Sequence, residues 1–202
     1  MRSSSRTDIL EAALRVVDAE GGADITYQTV ATEAGLTKAG LMYHFPSKDA
    51  LMVAVIEHVI ERWQGELQAA LEVPLPESTL AQRVAAFVDF ATEGGASAGE
   101  FVVFSEAVRR PELSAPWLAY LQEWFDFGAA GSGGSAGSGG ADAAGAWLLA
   151  AWSAANGLWI AESTGILQLS PAQRHAVRAQ LSALVAGSTS PPASTDPSQT
   201  AL

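Results

Sequence analysis

Cysteine is absent from this chain of 202 residues, and lysine and histidine are scarce. Without cysteine the protein has no disulfide, no thiolate metal site and no cysteine nucleophile, which fits a reducing compartment. The three histidines, at 44, 58 and 175, are too scattered to suggest a zinc site. We therefore expect no metal and no cofactor.

Positive charge is also in short supply, and its distribution matters more than its sum. The formal net charge is −11, but residues 1–52 carry a net −2 while residues 53–202 carry a net −9. Both lysines of the chain, Lys38 and Lys48, fall in the first segment. The acidic remainder would repel a polyanion, so any attraction of one is expected from the first segment.

An alternating strand pattern is missing as well, because every periodic segment has helical spacing. The sequence predicts an all-α fold of about nine helices, with Thr26, Thr37 and Ser47 as N-caps. The predicted spans are 5–20, 27–34, 38–44, 48–71, 78–93, 99–109, 113–127, 142–164 and 171–187.

One uncharged run, residues 143–161, is nearly as long as the ~20 residues that a membrane span needs. It is mostly alanine, and acidic residues, Asp142 and Glu162, flank it where a span favours basic ones. We expect a helix buried in a bundle and no membrane partner. No signal-peptide apolar region follows the N-terminal residues, so we expect a cytoplasmic protein.

Two segments have compositions that do not favour a packed core. Residues 128–141 consist of glycine, alanine and serine only, and we expect a flexible loop, of natural or engineered origin. Residues 188–202 are rich in serine, threonine and proline, and we expect a disordered tail. We place a head at 1–47 and a helical body at 48–187.

The most informative stretch is 26–48, which predicts two short helices joined by a tight turn at Gly35. Ala31 is small enough for a close helix crossing. The second short helix begins at Lys38, and Lys48 begins the next helix, so a cation marks each end. This is the layout of a helix that enters a DNA groove while its ends bind phosphates. The apolar positions expected to face the core between the helices are Val30, Ala34, Leu36 and Leu41.

The run Gly-Leu-Thr-Lys-Ala-Gly-Leu-Met-Tyr-His-Phe-Pro-Ser-Lys-Asp-Ala-Leu, residues 35–51, closely resembles the DNA-binding head of the TetR family of bacterial repressors. The resemblance implies two groups of contacts to duplex DNA. The expected phosphate ligands are Tyr27, Tyr43, His44 and Lys48. The expected major-groove residues are Thr37, Lys38, Ala39 and Gly40. Alternatives remain open, since Tyr43 could be a core aromatic, His44 a helix cap and Lys48 a solvated surface residue.

All six tryptophans lie between Trp63 and Trp159, and aromatic side chains could line a ligand cavity there. The candidate ligand-binding residues are Trp63, Phe87, Phe90, Phe101, Phe104, Trp117, Trp124, Trp152 and Asn156. Nearby acids would favour a flat cationic ligand through cation–π attraction; these are Asp89, Glu93, Glu100, Glu106 and Glu123. The plainer alternative is an aromatic core with solvated acids.

The resemblance further implies a homodimer formed through 142–164 and 171–186, where small residues such as Ala150, Ala154 and Gly157 permit close helix approach. A two-fold dimer predicts a palindromic operator, released when a ligand in the body shifts the fourth helix. We therefore expect a ligand-responsive repressor in the bacterial cytoplasm. The alternative is a dimeric DNA-binding protein without an effector pocket. No nucleophile–base pair or phosphate loop points to an enzyme.

Overall fold

The computed structural model describes residues 5–20, 25–93, 97–127 and 139–189. Within these ranges the fold is all-α, with nine α-helices, one short 3-10 turn and no strand, which confirms the predicted class. The helices are α1 (Ser5–Glu20), α2 (Tyr27–Glu33), α3 (Lys38–His44), α4 (Lys48–Ala70), α5 (Leu80–Glu93), α6 (Ala98–Arg109), α7 (Pro111–Trp124), α8 (Gly139–Ser163) and α9 (Pro171–Thr189).

Side-chain caps fix where the first helices begin. The Thr26 hydroxyl accepts the Thr29 amide at 3.1 Å, and the Thr29 hydroxyl accepts the Thr26 amide in return, which makes a capping box. Thr37 caps α3 by accepting the Gly40 amide, and Ser47 caps α4 by accepting the Ala50 amide. The three N-caps predicted from the sequence are confirmed, because a cap is a purely local interaction.

Helix α4 joins the head to the body through one continuous hydrophobic core. Its first turns place Leu51 and Val55 fully buried beside buried residues of α1 and α3, such as Ile9 and Leu41. Its later turns carry Trp63 and other buried residues into the body. A 23-residue helix spans about 34 Å at 1.5 Å per residue, so one rigid element sets where the head lies.

The body is built on two sets of helix contacts. Helices α5, α8 and α9 pack against one another, while α4 packs on α7 and α6 packs on α1 and α7. The α1–α6 contact is notable because it joins the head directly to the body without passing through α4. No helix in the described ranges is long and apolar enough to cross a membrane.

Several helix boundaries differ from the sequence expectation, by one to three residues. Helix α8 begins at Gly139, so the last three residues of the predicted flexible segment 128–141 are helical. Helix α7 ends at Trp124 rather than 127, and α9 continues to Thr189, two residues into the predicted tail. Tertiary packing overrides residue propensity at such ends. The remaining parts of those segments, 128–138 and 190–202, lie outside the described residues.

Candidate nucleic-acid interface

The turn between α2 and α3 depends on the left-handed conformation of Gly35, whose φ is +67°. The Gly35 amide donates to the Thr32 carbonyl at 3.1 Å, and the Leu36 amide donates to the Ala31 carbonyl at 2.8 Å. A Cβ built on Gly35 would meet nothing within 4 Å. The backbone conformation, rather than crowding, therefore selects glycine here, as the sequence predicted.

Small and branched side chains hold the two short helices together. Ala31, Val30 and Leu41 are completely buried at the crossing of α2 and α3. Two further residues that we expected in this core are only partly covered, because Ala34 is half-buried and Leu36 is 36% exposed. Both flank the turn at Gly35, where the chain leaves α2 and is no longer covered on both sides.

The outer face of α3 is unusually open for so small a helix. Thr37, Lys38 and Ala39 are exposed at its N-terminus, whereas Gly40 is half-buried. Tyr43 is 87% exposed, which excludes the alternative that it belongs to the core. His44 is half-buried, with its ring edge-on to the Tyr43 ring at 5.5 Å.

Sequence reasoning missed Met42, which is 45% exposed on this face. It follows Lys38 by one helical turn, and that spacing was the signal that could have placed it there. Its thioether is an apolar group next to residues expected in the groove.

Positive charge is left uncompensated around α3. Within the described residues, neither Lys38 nor Lys48 forms an ion pair or a hydrogen bond, and Arg6 contacts only the Phe45 ring, with its guanidinium carbon 5.2 Å from the centroid.

Elsewhere in the described ranges the arginines have partners. The ion pairs are Arg15–Glu33, Arg62–Glu100, Arg109–Glu106, Arg110–Asp49, Arg110–Glu112, Arg174–Glu162, Arg178–Asp89 and Arg178–Glu93. Arg83 instead donates to main-chain carbonyls of Leu75, Ser78 and Glu123. Lys38, Lys48 and Arg6 can therefore attract an external polyanion.

Tyr27 has a role that the sequence did not reveal. Its hydroxyl donates to the Phe45 carbonyl at 2.6 Å and so braces the start of α2 against the end of α3. Burial, assisted by the charge of Asp49, raises the pKa of Tyr27 above its ordinary value, so the hydroxyl keeps its proton. That single proton is already donated, which disfavours the phosphate contact expected for this residue.

The aromatic side chains of the body form one connected network. Trp63 lies at its centre, with its ring centroid 5.1 Å from those of Trp117 and Trp159 and 5.3 Å from Phe90. All eight aromatic residues predicted to line a ligand site belong to the network, and sequence reasoning missed four others: Tyr120, Phe125, Phe127 and Trp159. Asn156, the ninth predicted residue, is half-buried on α8.

These rings contact one another, so a ligand that enters between them has to separate rings that touch. Several polar atoms within the network nevertheless lack a hydrogen-bond partner among the described residues. They are the indole nitrogens of Trp117, Trp124, Trp152 and Trp159 and the Tyr120 hydroxyl, whose pKa is raised by burial. Buried donors of this kind are rarely left unpaired in proteins, and a bound molecule is one explanation.

The acidic side chains do not surround the aromatic network as expected. Asp89 and Glu93 each lie 2.8 Å from Arg178, and Glu106 pairs with Arg109 on the same helix. Glu123 is exposed and accepts a hydrogen bond from Gln64 at 3.3 Å. The charges of Asp89, Glu93 and Glu106 are thus compensated by arginines, and Glu123 is exposed. None of these four acids is an unpaired charge buried in the body.

Glu100 is the exception, since it is only 2% exposed. One carboxylate oxygen accepts the Ser97 amide at 3.0 Å in a capping box, and the other lies 3.4 Å from Arg62 Nη1. Burial raises the pKa of Glu100, while the Ser97 amide, the Arg62 charge and the neighbouring Trp63 indole oppose that rise. Among the described residues, no group of three His, Asp or Glu side chains is arranged to hold a metal ion.

Comparison with known proteins agrees with this geometry in both halves of the chain. Residues 9–55 match the family described as bacterial regulatory proteins, tetR family, and residues 81–186, more than half of the chain, match the tetracyclin repressor-like C-terminal domain.

The curated relatives share limited sequence identity with this chain over part of its length. The transcriptional regulator BetI of Brucella canis is 28% identical over 120 residues, 59% of this chain and 53% of BetI. RutR of Escherichia coli K12 is 36% identical over 70 residues, 35% of this chain and 33% of RutR. The chain thus spans about half the length of BetI. A crystal structure of the multidrug binding protein EbrR with ethidium superposes with a TM-score of 0.59 at 21% identity, covering 91% of this chain and 99% of EbrR.

The helix-turn-helix head on an all-helical body is the architecture of a bacterial regulatory protein. The chain belongs to the TetR family of bacterial regulatory proteins.

We expect Lys48→Ala to weaken DNA binding, because the lysine has no partner among the described residues and lies in the first turn of α4. The slope of log K against log salt should fall by about one unit for each phosphate that the protein no longer neutralises. Fluorescence anisotropy titrations over a range of salt concentrations measure the slope. An unchanged slope would count against phosphate binding by Lys48.

Tyr27→Phe is the matched contrast for that experiment. It removes only the hydroxyl bonded to Phe45, so it should lower the free energy of unfolding by about 1 kcal/mol and leave the salt slope unchanged. Urea unfolding measures the first quantity. A slope that fell as it does for Lys48→Ala would instead assign Tyr27 to a phosphate.

Proposed function

We propose that this protein is a repressor that binds a palindromic operator as a homodimer and leaves it when a small molecule binds the helical body. The observation that carries the proposal is the exposed face of α3, with Lys38 at its first residue and Lys48 at the start of α4, both unpaired among the described residues. The protein acts in the bacterial cytoplasm and is not an enzyme. Its head comprises residues 1–47 and its body residues 48–187.

In the proposed complex α3 lies in the major groove. An α-helix with its side chains is about 10–12 Å in diameter, which fits the groove's ~12 Å width. Thr37 and Lys38 would read base edges, while Ala39 and Gly40 allow close approach and offer only apolar contact. Tyr43, His44 and Lys48 would bind phosphates on either side, and the Tyr27 hydroxyl would hold α2 and α3 in register.

The test is a mobility-shift titration with DNA from the region upstream of the protein's own gene. We expect a discrete shift at nanomolar dimer, competed by the same fragment and not by a shuffled sequence of equal composition. Footprinting should show two half-sites related by a two-fold axis, because a two-fold dimer presents two identical heads. Equal binding to the shuffled fragment would refute sequence-specific regulation.

Exposed faces of α8 and α9 support the proposed dimer. On α8 the small residues Ala146, Ala150, Ala154 and Gly157 are exposed at helical spacing, next to Trp147, which is 51% exposed. On α9 the exposed alanines are Ala172, Ala176, Ala179, Ala183 and Ala186. Two such faces allow helices of two subunits to approach closely, and a large exposed tryptophan is common where a partner covers it.

We expect Gly157→Leu to dissociate the dimer. A Cβ at Gly157 meets nothing within 4 Å in one subunit, so the larger side chain fits the monomer but would collide with a partner helix. Sedimentation equilibrium should give a mass near the 20.9 kDa of one chain. Gly65→Leu is the control, since that glycine of α4 is equally open and lies far from the proposed interface. A Gly157→Leu dimer as tight as the control's would contradict this interface.

The aromatic network supports a ligand site in the body. Its buried unpaired donors can satisfy acceptors of a bound molecule. The half-buried rings are the parts of the network nearest to solvent, and they are Phe101, Phe104, Phe127 and Trp152. We propose a flat aromatic ligand, with a cation as one possible type. Of the five acids that first suggested a cation, only Glu100 is buried beside these rings.

Ethidium, the flat cation in the EbrR structure, is a suitable probe in the absence of DNA. We expect it to quench tryptophan fluorescence with saturation, and Glu100→Gln to weaken its affinity about tenfold by removing a buried charge. Glu106→Gln is the matched control, because that carboxylate is paired outside the network. If the two variants bind ethidium equally, Glu100 does not select a cation.

The alternative is a dimeric DNA-binding protein that senses nothing. It is favoured by one observation, the direct contact between the rings, which is typical of a plain core. The variant Phe104→Ala distinguishes a ligand-sensing protein from one that senses nothing. In a sensing protein it changes the ligand response and spares operator affinity, whereas in a plain core it lowers stability and every activity together.

A further inference from the structure

Helix α6 is tied to the head at its N-terminal end. The Asp18 carboxylate at the end of α1 accepts the Gly99 amide at 2.7 Å, although the two residues are 81 positions apart. A Cβ built on Gly99 would lie only 2.4 Å from that oxygen, so only glycine permits so close an approach. A carboxylate at this position also matches the positive end of the helix dipole.

The other end of α6 is tied by an ion pair to the first turn of α4, directly after the head. Arg110, the residue after α6, donates through Nη2 to Asp49 at 2.6 Å and through Nε to Glu112 at 3.0 Å. Glu112 lies in the first turn of α7 and holds the guanidinium in place for Asp49. Asp49 lies in the first turn of α4, next to Lys48 in the sequence.

Packing is incomplete at the place that this ion pair spans. A cleft of about 120 Å³, partly open to solvent, separates the first turns of α4, at Lys48 and Met52, from Val102, Val103 and Leu113 of α6 and α7, and Glu106 and Arg110 also line it. Close packing normally fixes one element against another, and such a cleft removes part of that restraint. Directional polar contacts beside the cleft therefore carry more of the restraint than they would in a filled core.

We propose that Arg110 is a positioning residue that sets the first turn of α4, and so the phosphate-binding Lys48, against the body through Asp49. The proposal rests on the proposed function, in which Lys48 contacts DNA. It adds a second connection between head and body, because α6 is held at both of its ends while α4 runs alongside. Breaking the Arg110–Asp49 contact would let the first turn of α4 move while the core of the head stays intact.

The test compares Arg110→Gln, Asp49→Asn and the double variant with Arg109→Gln as the control. Arg109 precedes Arg110 but pairs only with Glu106 of its own helix and is 77% exposed. We expect Arg110→Gln to weaken operator binding about threefold per head, or about tenfold for a dimer, since a partly exposed ion pair contributes modestly. The salt slope should not change, because Arg110 itself touches no phosphate. The effects of Arg110→Gln and Asp49→Asn should be non-additive.

Arg110→Lys is a control for misfolding of Arg110→Gln, because it keeps the positive charge. A lysine cannot bridge Asp49 and Glu112 in the same way, so we expect an operator affinity between those of the wild type and Arg110→Gln. A second readout is hydrogen exchange in residues 47–53, which should accelerate in Arg110→Gln and not in Arg109→Gln. This readout needs no DNA, so it tests the tie even if the wild type bound no operator, the result that would refute the proposed function. The inference is overturned if Arg110→Gln behaves like Arg109→Gln in both readouts, or if it lowers the salt slope.

Discussion

The continuous burial of α4 is the constraint on which the other features depend. Its early turns pack Leu51 and Val55 against the head, and its later turns place Trp63 among the rings of the body. Because these side chains share one helix and one core, the head and the body do not pack independently of each other. A change in the contacts of Trp63 therefore has a rigid route to the first turn of α4, where Lys48 begins the helix.

Positive charge without a partner lies close to the first turn of α4. The chain is strongly acidic, yet in its described parts most cations of the body are neutralised by nearby carboxylates, while Lys38 and Lys48 are not. The repulsion of a polyanion by the described residues is therefore weakest near α3, where these two lysines lie. A displacement of the first turn of α4 would change where Lys48 lies relative to Lys38.

The body combines dense aromatic packing with buried polar atoms that the described residues leave unpaired. Several such atoms occur within a single network, whereas most buried polar groups in proteins are hydrogen-bonded. The same region contains Glu100, a carboxylate whose burial is offset only in part by Arg62 and the Ser97 amide. The network thus combines the close ring contacts of a plain core with buried polar atoms that the described residues leave unpaired.

Sequence alone determined what depends on neighbouring residues: the nine helices of the described ranges, the caps at Thr26, Thr37 and Ser47, the left-handed turn at Gly35 and the lysines at the ends of the region around α3. Periodicity and cap chemistry act over three or four residues, so they can be read directly from the chain. Tertiary structure decided the rest: the Tyr27 hydroxyl was taken by Phe45, 18 residues away, Asp89 was paired with Arg178, and Asp49 with Arg110. A polar side chain finds its partner only after distant helices have packed together, and no local pattern records which partner that will be.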